Sequence, residues 1–257
     1  MRITRTFILL VFLSQANWTF CQQAFLNELG IEKAQSFQNL IDSYRNFLDL
    51  NYSNTATLGE QTRKFMMQMV NGETITYDSL DALNLIRDLE ESGLRQDIYL
   101  YSNETYEPTY NLRQFLSEEQ ADEIDDVIAL TNREFIVNDS LKHKWDSIFQ
   151  VRFSQLPPEK RRIHQELERK QEERIRWTTD TNPKGLYHYA LLKTDTSFYS
   201  YCLIRTELLP GITPALTELS TQELEAWNIH ILFMVDYYLT NILFQYRRYM
   251  VKDVNRR

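Results

Sequence analysis

Four histidines, at 143, 164, 188 and 230, are the ready-made acid–base groups of this chain. None stands in H-E-x-x-H or pairs with a second histidine at ligand spacing, so the sequence offers no zinc site. His230 is the strongest of the four for proton transfer. On a helix it shares a polar edge with Tyr237 and Asn241, and Asp236 lies close by in sequence. An imidazole with a carboxylate near it suits a hydrolase-like reaction. The competing reading is simpler: a histidine satisfied inside the core.

Other constellations fall away on inspection. Glu118, Glu119, Asp122, Glu123, Asp125 and Asp126 form an acidic run, with Asp122 and Asp126 on one helical face. Acids in a first helical turn are already stabilised by the macrodipole, which explains them without a metal. Asp180 to Gly185 mimics the opening of a calcium loop but places Lys184 at the fifth position and Leu191 at the twelfth, where oxygen ligands belong. Six glycines, at 30, 59, 72, 93, 185 and 211, are too scattered for a phosphate-cradling loop or a dinucleotide turn. No cofactor is expected.

Tyrosine is abundant, with fifteen in the chain. Tyr99, Tyr101, Tyr106 and Tyr110 crowd a stretch around Pro108 that reads as an ordered loop with room for a short strand. Rings with a polar tip suit a contact surface for a peptide, glycan or protein. They suit equally well the rim of a helical core.

The elements that must carry these residues are mostly helices. Phe37, Leu40, Ile41, Tyr44, Phe47 and Leu48 recur at helical spacing, as do Leu58, Phe65, Met66 and Met69. Asp78 or Ser79 can cap a third helix bearing Leu80, Leu83, Ile86 and Leu89. Ser117 with Gln120, and Ser220 with Glu223, have capping-box spacing. The second box is expected to launch a long amphipathic helix reaching about Lys252. Residues 186–209 read as two aromatic strands around Lys193–Thr196 or as buried helix; the helical surroundings favour helix. The expected fold is mainly α, a multi-helix bundle with a long charged helix, a long C-terminal helix and at most one short β-hairpin.

The organisation follows composition. Met1 to Leu13 sets Arg2 and Arg5 before the seven apolar residues Phe7–Leu13, the layout of a secretory leader and far short of the about 20 residues a bilayer span needs. Lipid attachment at Cys21 wants a small residue before it and Leu three before; Phe20 and Trp18 stand there instead. Residues 1–21 are therefore expected to be a signal peptide cleaved near Cys21, delivering a periplasmic or secreted protein. Cys202 is then the one remaining cysteine, which excludes an internal disulfide.

Residues 22–155 carry 11 basic and 23 acidic side chains and form an acidic helical bundle. Residues 156–178 are a bridging helix in which 12 of the nineteen side chains from Glu159 to Trp177 are charged. Residues 179–257, aromatic-rich, are expected to pack on the first half. Loss of Arg2 and Arg5 leaves 26 basic against 36 acidic side chains, a balance unsuited to nucleic acid or anionic lipid. The partner expected is another envelope protein or a small ligand, bound by a helical interaction module. The alternative is an envelope enzyme with its site near His230 and Asp236.

Overall fold

The computed structural model describes residues 21–52, 57–101, 104–131, 157–163, 165, 166, 169, 179–208 and 214–246. It is mainly helical, with one small two-stranded antiparallel sheet. Residues 21–29 form α1, and Gly30, at φ 79°, separates it from α2 (Ile31–Tyr52). The α2 stripe Phe37, Leu40, Ile41, Tyr44, Phe47 and Leu48 is buried throughout, as its spacing predicts.

α3 (Leu58–Val70) starts at a capping box in which Thr57 and Glu60 exchange side-chain to backbone bonds. α4 (Ser79–Glu91) is capped by the Asp78 carboxylate, which accepts from the Leu80 and Asp81 amides at 2.9 Å each. Such a cap contributes about 1 kcal/mol. α3 and α4 both pack on α2. Gly93, in the left-handed region, turns the chain into the short α5 (Leu94–Ile98), followed by β1 (Tyr99–Tyr101). α6 (Glu118–Thr131) opens with Ser117 and Gln120 bonded reciprocally.

Of the charged stretch, 158–163 is helical, as are 165, 166 and 169, and Arg169 meets Glu166 at 2.8 Å. The rest of that stretch, and any bridging role, lie outside the described residues. β2 (Thr179–Thr181) then pairs antiparallel with β1, Tyr99 opposite Thr181 and Tyr101 opposite Thr179. The sheet joins segments far apart in sequence, so it is a clasp and not a turn between neighbouring strands. Residues 186–209 resolve in favour of helix: α7 (Leu186–Thr194) and α8 (Phe198–Leu208).

The C-terminal helix departs from a single rod. The Ser220–Glu223 capping box is present, but the helix it launches, α10 (Thr221–Leu224), ends after one turn, following α9 (Pro214–Glu218). Ala226 is extended, and α11 (Trp227–Leu232) restarts and passes into a π-helical segment, Phe233–Leu239, before α-helix resumes over 240–246. Packing explains the restart. α10 lies against the start of α3, where the Glu225 carboxylate accepts from the Gly59 amide at 3.2 Å and Arg63 donates to the Leu219 carbonyl. Inside the π segment the Val235 carbonyl accepts from the Tyr99 hydroxyl at 3.0 Å and from Thr240 Oγ1 at 3.3 Å. Carbonyls loosened by the wider helical turn thus find side-chain donors.

One continuous core unites the two ends of the chain. Phe25 of α1 is its junction, with ring centroids 4.8 Å from Phe37, 5.9 Å from Tyr187 and 6.3 Å from Trp227. Through Phe25, side chains of α1, α2, α7 and α11 share that core. Among the described residues no helix is long and apolar enough to cross a membrane.

Candidate functional site

His230 lies wholly inside the core, its ring 5.1 Å from that of Tyr44 on α2. Burial, with Arg45 adding to it, lowers its pKa to about 3. An imidazole so placed stays neutral at physiological pH and meets no solvent-borne substrate. Asp236, half-buried, sits in the π segment. The six-residue step between them runs through α-helix into the wider π turns, about one and a half turns in all, so these two candidates leave the helix on different sides.

The tyrosine stretch is built around a buried cation. Arg95, on α5, is 2 % exposed and stacks 3.8 Å over the Tyr101 ring. Its guanidinium donates to the Tyr99 carbonyl at 2.9 Å, to Glu90 at 3.0 Å and to both oxygens of Glu104. Glu104 also accepts from the Tyr101 amide at 2.9 Å. Burial works against that carboxylate, but Arg95 and the Tyr101 amide outweigh it and hold the carboxyl below its ordinary range. Two residues on, the buried Asp97 carboxylate meets Lys33 at 2.5 Å and accepts from the Tyr106 hydroxyl. The Tyr101 hydroxyl donates to Glu90, and the Tyr110 ring rests on Tyr189 at 5.1 Å. The hydroxyls of Tyr99, Tyr101 and Tyr106 are thus used inside the protein.

Asn182 and His188 belong to the same knot, and sequence reasoning missed both. Asn182 is buried, accepting from the Lys184 amide and donating its side-chain amide to the Gln96 carbonyl at 2.7 Å. Its own carbonyl faces His188 Nδ1 at 3.0 Å. Here the Asn182–Pro183–Lys184–Gly185 turn makes a sharp entry to α7. Gly185 lies so close to α5 that a methyl there would sit 2.7 Å from the Asp97 carbonyl carbon and nearer still to its oxygen. In sequence this stretch reads only as a failed calcium loop, and its docking against α5 leaves no local signal.

The surface holds a different arrangement. Tyr77 leads into α4, its ring 5.1 Å from Phe47 of α2, and its carbonyl accepts from the Tyr246 hydroxyl at 3.2 Å. The C-terminal end of α2, the start of α4 and the end of the last helix therefore meet. α3 joins them where Gln68 accepts from the Tyr52 hydroxyl and donates to the Thr74 carbonyl. On these elements stand Leu50 at 76 % exposure, Leu80 at 66 %, Phe244 at 56 %, and the exposed Val70 and Met67.

Cys202 is half-buried against the core, and burial pushes its thiol up, away from nucleophile chemistry. Cys21, within α1, also packs on the core. The acids of α6 are partly neutralised by Arg113, which binds Asp125 and lies 3.4 Å from Asp122. Among the described residues no group of three or more His, Cys, Asp or Glu side chains is placed to hold a metal ion. Compared with protein-family models, curated proteins and solved structures, the chain matches none.

Proposed function

We propose that this protein is an exported helical interaction module that binds another envelope protein. The carrying observation is the set Leu50, Met67, Val70, Leu80 and Phe244, large apolar side chains exposed on elements that meet at one end of the bundle. Exposed apolar groups scattered singly are ordinary, as Ile31 at the start of α2 is; several on elements that meet suit a protein contact. The burial of His230 supports the same reading, because a hydrolase site built on it would need substrate to enter the core. The leader-like layout of Arg2, Arg5 and Phe7–Leu13 supports export.

The test is site-specific photo-cross-linking in the native cell envelope, with the probe at Leu80 or Phe244 and a control probe at the exposed Gln114. A discrete protein adduct from the first two positions alone is expected. Absence of any adduct, together with a small-molecule thermal shift that disappears in His230→Ala, would replace the module with an enzyme.

A further inference from the structure

α3 ends on Asn71–Gly72, the one place in the chain where glycine follows asparagine. Gly72 stands at φ 67°, in the left-handed region that glycine occupies without a Cβ clash. Its amide donates to the Met69 carbonyl at 3.0 Å, and the Glu73 amide reaches back to the Gln68 carbonyl at 3.0 Å. Such a pair of bonds closes a helix that stops on a left-handed residue. Asn71 keeps a right-handed helical backbone, and its side-chain amide donates to the Glu73 carboxylate at 3.0 Å. Asn71, Gly72 and Glu73 are all exposed, and a methyl built on Gly72 would meet no described atom within 4 Å.

Joining the Gly72 backbone nitrogen to Asn71 Cγ closes a five-membered imide. The side chain of a following residue normally crowds that closure, and glycine has none. We propose that Asn71 is a site of spontaneous deamidation whose product loosens the end of α3. The Gly72 nitrogen, having given its proton to hydroxide, bonds to Asn71 Cγ; the Cγ–Nδ2 bond breaks, and the nitrogen leaves as ammonia with a proton from water. Water then opens the imide. Opening at Cγ leaves aspartate, whereas opening at the backbone carbonyl routes the chain through the side chain as isoaspartate. Water is the only co-reactant. Closure needs the Asn71 backbone to leave its helical setting, so the two bonds from Gly72 and Glu73 open first. Helix ends open at little cost. The further described restraint is the Gln68 side-chain amide, which spans the turn to the Thr74 carbonyl at 2.9 Å.

The product differs from the parent in charge and in length. A carboxylate at position 71 stands beside Glu73, where an amide had donated to it, and lies at the negative end of α3. Isoaspartate also lengthens the backbone between residues 71 and 72, which puts the Gly72 and Glu73 amides out of register with Met69 and Gln68. The last turn of α3 therefore unwinds once the site is modified. This chemistry needs no partner and goes beyond the interaction reading.

The full chain is aged at pH 7 and at pH 9 beside a synthetic peptide of residues 67–76, and the fragment carrying Asn71 is followed by liquid chromatography and mass spectrometry. A gain of one mass unit in two separately eluting products is expected, faster at pH 9 because the attacking nitrogen must lose its proton. The folded chain should lag the peptide by no more than about tenfold, equivalent to about 1.4 kcal/mol of opening. Asn84 and Asn111, each followed by leucine, should stay intact over the same period. Gly72→Ala, with its helicity checked by circular dichroism, should slow the reaction, and Asn71→Gln, which would need a six-membered ring, should abolish it. Hydrogen exchange at the Gly72 and Glu73 amides should be faster in aged protein than in fresh. An intact Asn71 when the peptide has converted would overturn the proposal, because the fold would then be shielding the site. So would conversion to aspartate alone, equal loss at Asn84 and Asn111, or an unchanged rate in Gly72→Ala. Unchanged amide exchange after conversion would refute the unwinding.

Discussion

His230 should make the protein acid-sensitive in a range where its carboxylates remain charged. In the unfolded chain its imidazole takes a proton near 6.5, whereas in the folded core it does so at about 3. A group whose folded pKa is depressed by burial binds more protons when unfolded, so stability rises with pH between those values and is lost as pH falls below 6.5. At about 1.36 kcal/mol per pH unit, the loss reaches about 2 kcal/mol at pH 5 and approaches about 5 kcal/mol by pH 3. Against a typical stability of roughly 5–15 kcal/mol, that is a large share. Urea unfolding at pH 7.5, 6 and 5 should show this slope in the parent and its removal in His230→Phe, which keeps an aromatic ring beside Tyr44. Proton NMR of the imidazole should show no titration of His230 between pH 7.5 and 5. A His230 resonance titrating near 6.5, or identical pH slopes in parent and variant, would refute the burial argument and reopen a solvent-reachable histidine.

Three further outcomes follow from the packing. Phe25→Ala removes the ring shared by α2, α7 and α11 and should cost about 3–5 kcal/mol in urea unfolding. Gly185→Ala drives a methyl into the Asp97 backbone, which no rotamer can relieve; a loss of roughly 3 kcal/mol should lower the melting temperature by about 6–12 °C. Glu104→Gln should cost about 2 kcal/mol at pH 7, the scale of a charge-assisted bond to Arg95. Because the Glu104 carboxyl is held below its ordinary value, its contribution is complete above about pH 4.3 and fades as pH drops through the folded value. The variant and parent should therefore converge in acid, as measured by denaturant midpoints.

What could be foreseen from the chain was local. The α2 stripe, the Asp78 cap and the reciprocal Ser117–Gln120 bonds each depend on residues a few positions apart, and each forms where the spacing puts it. Ser220 and Glu223 form their box too, yet the helix beyond them breaks, because α3 claims Gly59, Arg63 and Glu225 for contacts made across the fold. Leu186–Leu208 was ambiguous for a related reason: its apolar run is buried on most sides, which erases periodicity. Arg95, Asp97 and Asn182 were invisible as buried groups since their partners come from α2, α4, the Tyr101–Tyr110 stretch and the entry to α7. The exposed apolar end was hidden likewise. Leu50 and Leu80 look like ordinary members of helical patterns, and their exposure shows only once the neighbouring helices are in place.

The clasp between Tyr99–Tyr101 and Thr179–Thr181 makes the intervening polypeptide an excursion that departs and returns at one spot. Severing the backbone after Thr131 within that excursion would nick the molecule without dividing it. The leading fragment would keep Phe25 wedged among Tyr187 and Trp227 of the trailing one, and Glu123 would still hold Tyr201 and Arg205. The protein is separable on paper and inseparable as a particle, so two halves synthesised apart should reassemble on mixing.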